Sequence, residues 1–173
     1  MDLNRIKAFA FDIDGVATQG ELLCTPEGDF LRLYDAKDGF AIRMACMNGY
    51  PVAVITGGSS ESIRKRMTAS GIKAQDVFLH CRDKMIEFGL FCERYDLKPE
   101  DVLYIGDDIP DIEVMQACGC GTCPSDAVPE VRETADWVTE HAGGKGSIRE
   151  ALETTMKMQG KWIFNPAVYK EKF

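Results

Sequence analysis

The sequence predicts an α/β fold: a doubly wound, Rossmann-like parallel sheet with helices on both faces. Apolar runs of strand length alternate with helix-like segments along the whole 173-residue chain, the pattern of a mostly parallel sheet covered on two sides. Two runs, VAVI at 52–55 and VLYI at 102–105, are continuously apolar rather than alternating, as strands buried on both faces are. Acidic residues follow two of the runs directly, at the carboxyl ends where an open sheet of this kind gathers its ligands.

Residues 6–11 (IKAFAF) make the first short strand. Residues 21–23 and 29–34 flank Thr25-Pro26-Glu27-Gly28, turn chemistry that predicts a β-hairpin. Ala41, Ile42, Ala45 and Cys46 recur at helical spacing, and Asn48-Gly49 ends that helix. The strand at 52–55 is followed by Ser59 or Ser60 as the cap of a helix to about Ser70, with Gly71 as its stop. A shorter strand at 77–79, a helix from about Asp83 to Tyr95 and a turn opened by Pro99 lead to the strand at 102–105. Residues 110–118 are helical, 121–123 extended, a short helix starts at Pro129, 137–139 is a strand, and a final helix covers about 146–158. Right-handed crossovers make such a sheet doubly wound. The 157–173 tail carries Trp162, Phe164, Tyr169 and Phe173, too apolar for a solvated end; it packs on this subunit or on a neighbour.

Apolar residues make up 45% of the chain and charged residues 28%, ordinary globular usage that fits one domain over 1–173. A formal charge of −8 argues against nucleic acid or an anionic membrane as partner. The apolar run near the amino end is cut by Asp12, too soon for a signal peptide, and no stretch approaches the length of a membrane span. Seven cysteines without framework spacing suit a reducing cytoplasm. Cys118, Cys120 and Cys123 lie close together but lack a fourth soft ligand nearby, so small buried thiols are the expectation rather than a metal site.

The strongest chemical signal is Asp12-Ile13-Asp14-Gly15, straight after the first strand. Side chains two apart on extended backbone point the same way, so two carboxylates leave the sheet together, and Gly15 lets the chain turn sharply behind them. The plainer reading is a strand ending in an Asx turn. Gly106-Asp107-Asp108-Ile109-Pro110-Asp111 follows another buried strand and offers the hard oxygen ligands that Mg²⁺ takes. Asp111 can instead simply serve the next helix's dipole, behind Pro110 in its first turn. Thr56-Gly57-Gly58 after VAVI supplies a hydroxyl and free N–H groups for phosphate oxygens. Lys84 opens a helix against its dipole, so it wants an anion nearby, or else faces water.

DIDG, Thr56, Lys84 and GDDIPD occur in the order of the four motifs of the haloacid dehalogenase superfamily. DGFAIR (38–43), the hairpin insertion at about 17–35, GGKGSIRE (143–150) and QGKW (159–162) further resemble the capless phosphatases acting on 3-deoxy-D-manno-octulosonate 8-phosphate (KDO-8-phosphate). The resemblance implies a haloacid dehalogenase-like domain with no cap, and Asp12 as the nucleophile that forms an aspartyl-phosphate. Asp14 is then the acid and base; Mg²⁺ sits on Asp12, the Asp14 carbonyl and Asp107; Asp108 and Asp111 stand behind these ligands. Thr56, Gly57 and Lys84 hold the phosphoryl group. Arg66, Lys145 and Arg149 become candidates for the sugar acid, the last two across an interface of a homotetramer built by the hairpins and closed by a neighbour's tail.

Gly58 stands where many relatives are basic, Lys145 where Arg is common, and Gln19 where an acid is common, which bears on the substrate rather than on the chemistry. A phosphatase for the 9-phosphate of a nonulosonate is the near alternative. A non-catalytic oligomerisation module, of the kind fused to sugar nucleotide synthetases, is the distant one. All of it requires the side chains of Asp12 and Asp107 to converge.

Overall fold

The computed structural model describes residues 2–173. Strands β1 (Ala8–Phe11), β4 (Val52–Ile55), β5 (Val77–Phe78), β6 (Val102–Ile105), β7 (Cys120–Cys123) and β8 (Trp137–Val138) pair in parallel in the order β5-β4-β1-β6-β7-β8. The chain builds outward from β1 to one edge, returns, and builds to the other. The carboxyl end of β1, flanked by β4 and β6, is therefore the switch point at which such sheets bind ligands.

Strand alternation sorts the core into two layers. Phe9 and Phe11 project into a cluster with Val52, Val54, Leu103 and Ile105. That cluster is covered by α1 (Ala36–Met47), α2 (Glu61–Thr68) and α6 (Ser147–Met158) through Ile42, Ile63 and Leu152. Ala8 and Ala10 face the other layer, where α3 (Lys84–Arg94), α4 (Ile112–Ala117) and α5 (Pro129–Thr134) pack Phe88, Phe91, Val114 and Val131 against Ile55 and Tyr104. The two alanines leave room for those larger rings, an alternation of small and large that close packing demands. Ser60 accepts an N–H group at the start of α2, as expected, and Asp83 does the same for α3.

Three elements differ from expectation. The hairpin is present, but its strands β2 (Leu23–Cys24) and β3 (Phe30–Leu31) are short and exposed, because none of the described residues covers a longer ladder. Its turn is as expected, with Gly28 at φ +88° donating to the Thr25 carbonyl at 2.9 Å. The helix expected over 110–118 starts as a 3₁₀ turn at Ile109–Asp111 and is α-helical only from Ile112. The helix at 147–158 is not the last: α7 (Pro166–Lys172) follows, with Pro166 at its start and Asn165 accepting from the Ala167 and Val168 N–H groups.

The tail lies on its own chain. Tyr169 sits 6.2 Å from Phe40 and 5.6 Å from Phe173, and Arg43 lies over the Phe173 ring at 5.0 Å. Among the described residues no helix is long and apolar enough to cross a membrane.

Candidate active site

Asp12 leaves β1 with one carboxylate oxygen accepting the Ile13 N–H at 2.6 Å. The chain then turns through Gly15 at φ +89°. A Cβ at that position would lie 1.9 Å from Asp107 Oδ2, so both conformation and space require glycine. Thr18 ties the turn down, its hydroxyl accepting from the Gly20 N–H at 3.2 Å. The loop that carries Asp12 and the loop that carries Asp107 are thus in van der Waals contact across adjacent strands.

From β6 come Asp107 and Asp108, and from the 3₁₀ turn beyond them Asp111, which is fully buried. One Asp111 oxygen accepts Lys84 Nζ at 2.6 Å and the Tyr104 hydroxyl at 2.5 Å. The other accepts the backbone N–H groups of Asp107 and Asp108 at 3.2 and 3.4 Å. All its lone pairs are engaged, so it braces the loop and the lysine. The sequence sets helix capping against a direct role for Asp111; in the structure it caps the turn through the Asp108 N–H and supports Lys84 as well. Asp108 accepts the Ile109 N–H at 2.8 Å.

Lys84, at the first position of α3, reaches Asp12 Oδ2 at 2.9 Å as well as Asp111. These two carboxylates are the compensating anions that a lysine at a helix start requires. Thr56 is buried at the end of β4, its Oγ1 accepting the Gly58 N–H at 3.1 Å. Asp12, Asp14, Thr56, Gly57, Lys84, Asp107 and Asp108 line one cleft of about 300 Å³.

The charge balance of the cleft is unfavourable without a cation. Burial, then the neighbouring Asp12 and Asp111, push Asp107 up to about 8. Asp12 is pushed up to about 6 by burial, with Lys84 opposing. Lys84 itself is pulled down by burial, but Asp12 and Asp111 outweigh that and leave it above the ordinary lysine value. Asp107 Oδ1 is buried with no hydrogen-bond partner. Oxygens of Asp12, Asp107 and Asp111 lie within 4.8 Å of one another. An orphaned carboxylate oxygen beside a second carboxylate is a donor set for a hard divalent cation.

The family of haloacid dehalogenase-like hydrolases matches residues 58–152, over half of the chain. The chain is 33% identical over 156 residues to the 3-deoxy-D-manno-octulosonate 8-phosphate phosphatase KdsC of Escherichia coli (strain K12), covering 90% of this chain and 82% of that one. This chain belongs to the haloacid dehalogenase-like hydrolases. Two solved structures of such hydrolases are similar throughout. The 3-deoxy-D-manno-octulosonate 8-phosphate phosphatase from Moraxella catarrhalis, in complex with magnesium ion, phosphate ion and KDO, has a TM-score of 0.88 and 28% identity over 92% of this chain and 91% of that one. The cobalt-bound deoxy-D-mannose-octulosonate 8-phosphate phosphatase from Haemophilus influenzae has a TM-score of 0.89 and 30% identity over 98% and 96%.

Not every residue singled out in the sequence of this hydrolase reaches the cleft. Arg66 lies over the Tyr34 ring and donates to Ser70 Oγ at 2.8 Å, outside the cleft lining. Lys145 and Arg149 line a separate depression with Lys37, His141 and Lys157, and Arg149 pairs with Glu153 beneath Trp162. Within one chain these three do not meet the carboxylates. Cys118, Cys120 and Cys123 are free thiols, and the acidic trio is the only candidate metal cluster among the described residues.

Two residues that sequence reasoning passed over do matter. Buried Asp38 accepts the Gly146 and Arg149 N–H groups at 3.2 and 2.7 Å, capping α6, whose own N-cap is a glycine; burial pushes Asp38 up to about 6. Arg32, on the hairpin, pairs with Asp14. The leucines on either side of it are exposed, so the arginine between them faces inward, a placement set by how the hairpin docks.

Proposed function

We infer that this chain is a Mg²⁺-dependent phosphatase that hydrolyses KDO-8-phosphate to KDO and phosphate through an aspartyl-phosphate, in the cytoplasm and as a homotetramer. The observation that carries the reading is the convergence of Asp12, Asp107 and Lys84 in one cleft, with an unpartnered buried oxygen on Asp107. The substrate is supported by the names of the relatives and by the KDO, phosphate and magnesium bound to the Moraxella catarrhalis protein. Exposed Leu23, Phe30, Leu31 and Leu33 on the hairpin support assembly, since such a patch marks an interface.

Asp12 is the nucleophile: its carboxylate forms a bond to phosphorus as the bond from phosphorus to the sugar oxygen breaks. Asp14 gives its proton to that departing oxygen. It then takes one from the water whose oxygen displaces Asp12 and releases inorganic phosphate. Thr56 and the Gly57 N–H hold the phosphoryl oxygens, and Lys84 orients Asp12 and offsets the negative charge gathering around phosphorus. Asp12, Asp107 and the Asp14 carbonyl would hold Mg²⁺, which supplies charge neutralisation and Lewis acidity when bound.

Phosphate release from a panel of sugar acid phosphates, eight- and nine-carbon, with and without Mg²⁺, tests the reading. We expect the highest kcat/KM with KDO-8-phosphate; a higher value with a nonulosonate 9-phosphate would move the assignment to that substrate. Asp12→Asn should abolish release while the protein stays folded and assembled. Undiminished release by that variant would remove Asp12 as nucleophile.

A further inference from the structure

We propose that Arg32 is the positioning residue for the acid and base Asp14, delivered to the cleft by the hairpin. The inference rests on the phosphatase reading above and deepens it.

The pairing is a two-pronged fork. Arg32 Nε donates to Asp14 Oδ1 at 2.7 Å and Nη2 to Asp14 Oδ2 at 2.9 Å, while Nη1 returns to the Phe30 carbonyl at 3.1 Å. Such a fork fixes the plane of a carboxylate as well as its position. Arg32's side chain is 3% exposed, whereas Asp14's is 28% exposed, so the carboxylate stays open to the cleft on the side away from the guanidinium. This burial is unusual for its setting, since the flanking Leu31 and Leu33 are exposed. Burying a guanidinium costs desolvation that an ion pair does not reliably return as stability; a short exposed hairpin gains little by it.

The β4 loop leaves space for the fork. A Cβ at Gly58 would come 3.2 Å from Arg32 Nη2 and 2.8 Å from Ile63 Cδ1. The guanidinium thus occupies ground that a side chain at position 58 would take, between the loop holding Thr56 and the loop holding Asp14. Among the described residues, Arg32 is the one hydrogen-bond partner of the Asp14 side chain. Without the arginine its carboxylate is free to rotate out of line with a departing oxygen, and a misplacement of that kind costs rate rather than binding.

The test separates positioning of an acid from general support of the site. A sugar phosphate has a poor leaving group that needs a proton; p-nitrophenyl phosphate has one that departs without it. With Mg²⁺ present, Arg32→Met should lower kcat on KDO-8-phosphate by about 10- to 100-fold with KM little changed. On the aryl phosphate, release of p-nitrophenolate in a single turnover, which needs no acid and precedes the base step on the aspartyl-phosphate, should fall by no more than about threefold. Arg32→Lys, which keeps the charge but not the fork, should fall between. In an Asp14→Asn background, adding Arg32→Met should cost nothing further. Equal losses on both substrates, or losses that add in the double variant, would overturn the role of Arg32. If Arg32→Met fails to fold by circular dichroism, Arg32→Lys carries the same comparison of substrates and the same double-variant cycle. A wild-type chain that turns over neither phosphate overturns the phosphatase reading, and the role of Arg32 with it. When the wild type is active on both, the substrate comparison bears on Arg32 alone.

Discussion

Lys84 stands between Asp12 at 2.9 Å and Asp111 at 2.6 Å, with its side chain only 5% exposed. Removing one partner of a buried pair leaves the other's charge uncompensated, which costs about 3 kcal/mol or more. Lys84→Met should therefore lower the urea midpoint of the metal-free protein by that equivalent and kcat by at least about 100-fold; an unchanged midpoint would show that Asp111 does not depend on it. Asp107 gives the pH dependence. Its pKa is raised in the fold from 3.8 to about 8 by burial and the adjacent Asp12, so the folded state holds its proton more tightly than the unfolded chain does. Its contribution to stability is fully present below 3.8 and is lost as pH rises to about 8. The metal-free protein should thus melt lower at the alkaline end of that window than in its middle, and added Mg²⁺ should raise the melting temperature most there, where the carboxylate is ionised. A Mg²⁺ effect independent of pH would contradict this. Asp12, Asp14, Asp107 and Lys84 were legible because each stands beside a strand end or helix start that the apolar pattern marks. Arg32 was not, because its partner lies 18 residues away across a hairpin whose docking no local pattern encodes.

At the scale of elements, the Gly-rich segment before α6 acts as a backing plate for the turn that carries Asp14. A Cβ at Gly143 would fall 1.8 Å from the Gly15 carbonyl oxygen, and Gly144 at φ +59° presses on Thr18. Its other anchors are Asp126, which accepts the Gly143 N–H at 2.9 Å, and Asp38 on α1. Gly143→Ala should displace the turn at Gly15 and cut kcat by about tenfold or more, although residue 143 has no place in the cleft lining. A variant with wild-type kcat would show that the turn holds its shape unaided. The resemblance drew attention to this segment for its basic residues; its glycines bear on the site more directly. The sheet strands were readable because each is a short apolar run between breakers. The extra helix α7 escaped because it is too short for a sustained helical period, and its aromatic residues meet Phe40 and Arg43 of α1, contacts between distant segments. The shortened start of α4 has a local cause, since Pro110 offers no N–H and Asp111 is drawn inward by Lys84 and Tyr104.

For the whole molecule, the hairpin would join the proposed assembly to the proposed chemistry. β2 and β3 make a two-rung ladder, too little to hold an exposed arm by itself, and the Arg32 fork to Asp14 is a further tie to the body of the chain. Leu33 is 82% exposed, Leu23 67% and Leu31 51%; covering a leucine contributes about 2 kcal/mol, so copies meeting through their hairpins would gain both association and a fixed arm. Leu31→Lys combined with Leu33→Lys places like charges on that face and leaves Arg32, the cleft and the core untouched. Under the proposed assembly, we expect light scattering to report tetramers for the wild type and single chains for this variant at the same concentration. We also expect kcat on sugar phosphates to fall more than the single-turnover release of p-nitrophenolate from p-nitrophenyl phosphate, because an unsecured arm releases the fork on Asp14 before it disturbs Asp12 or Lys84. A variant that dissociates yet keeps full turnover of the sugar phosphate would separate the two roles of the hairpin, leaving assembly without influence on the site.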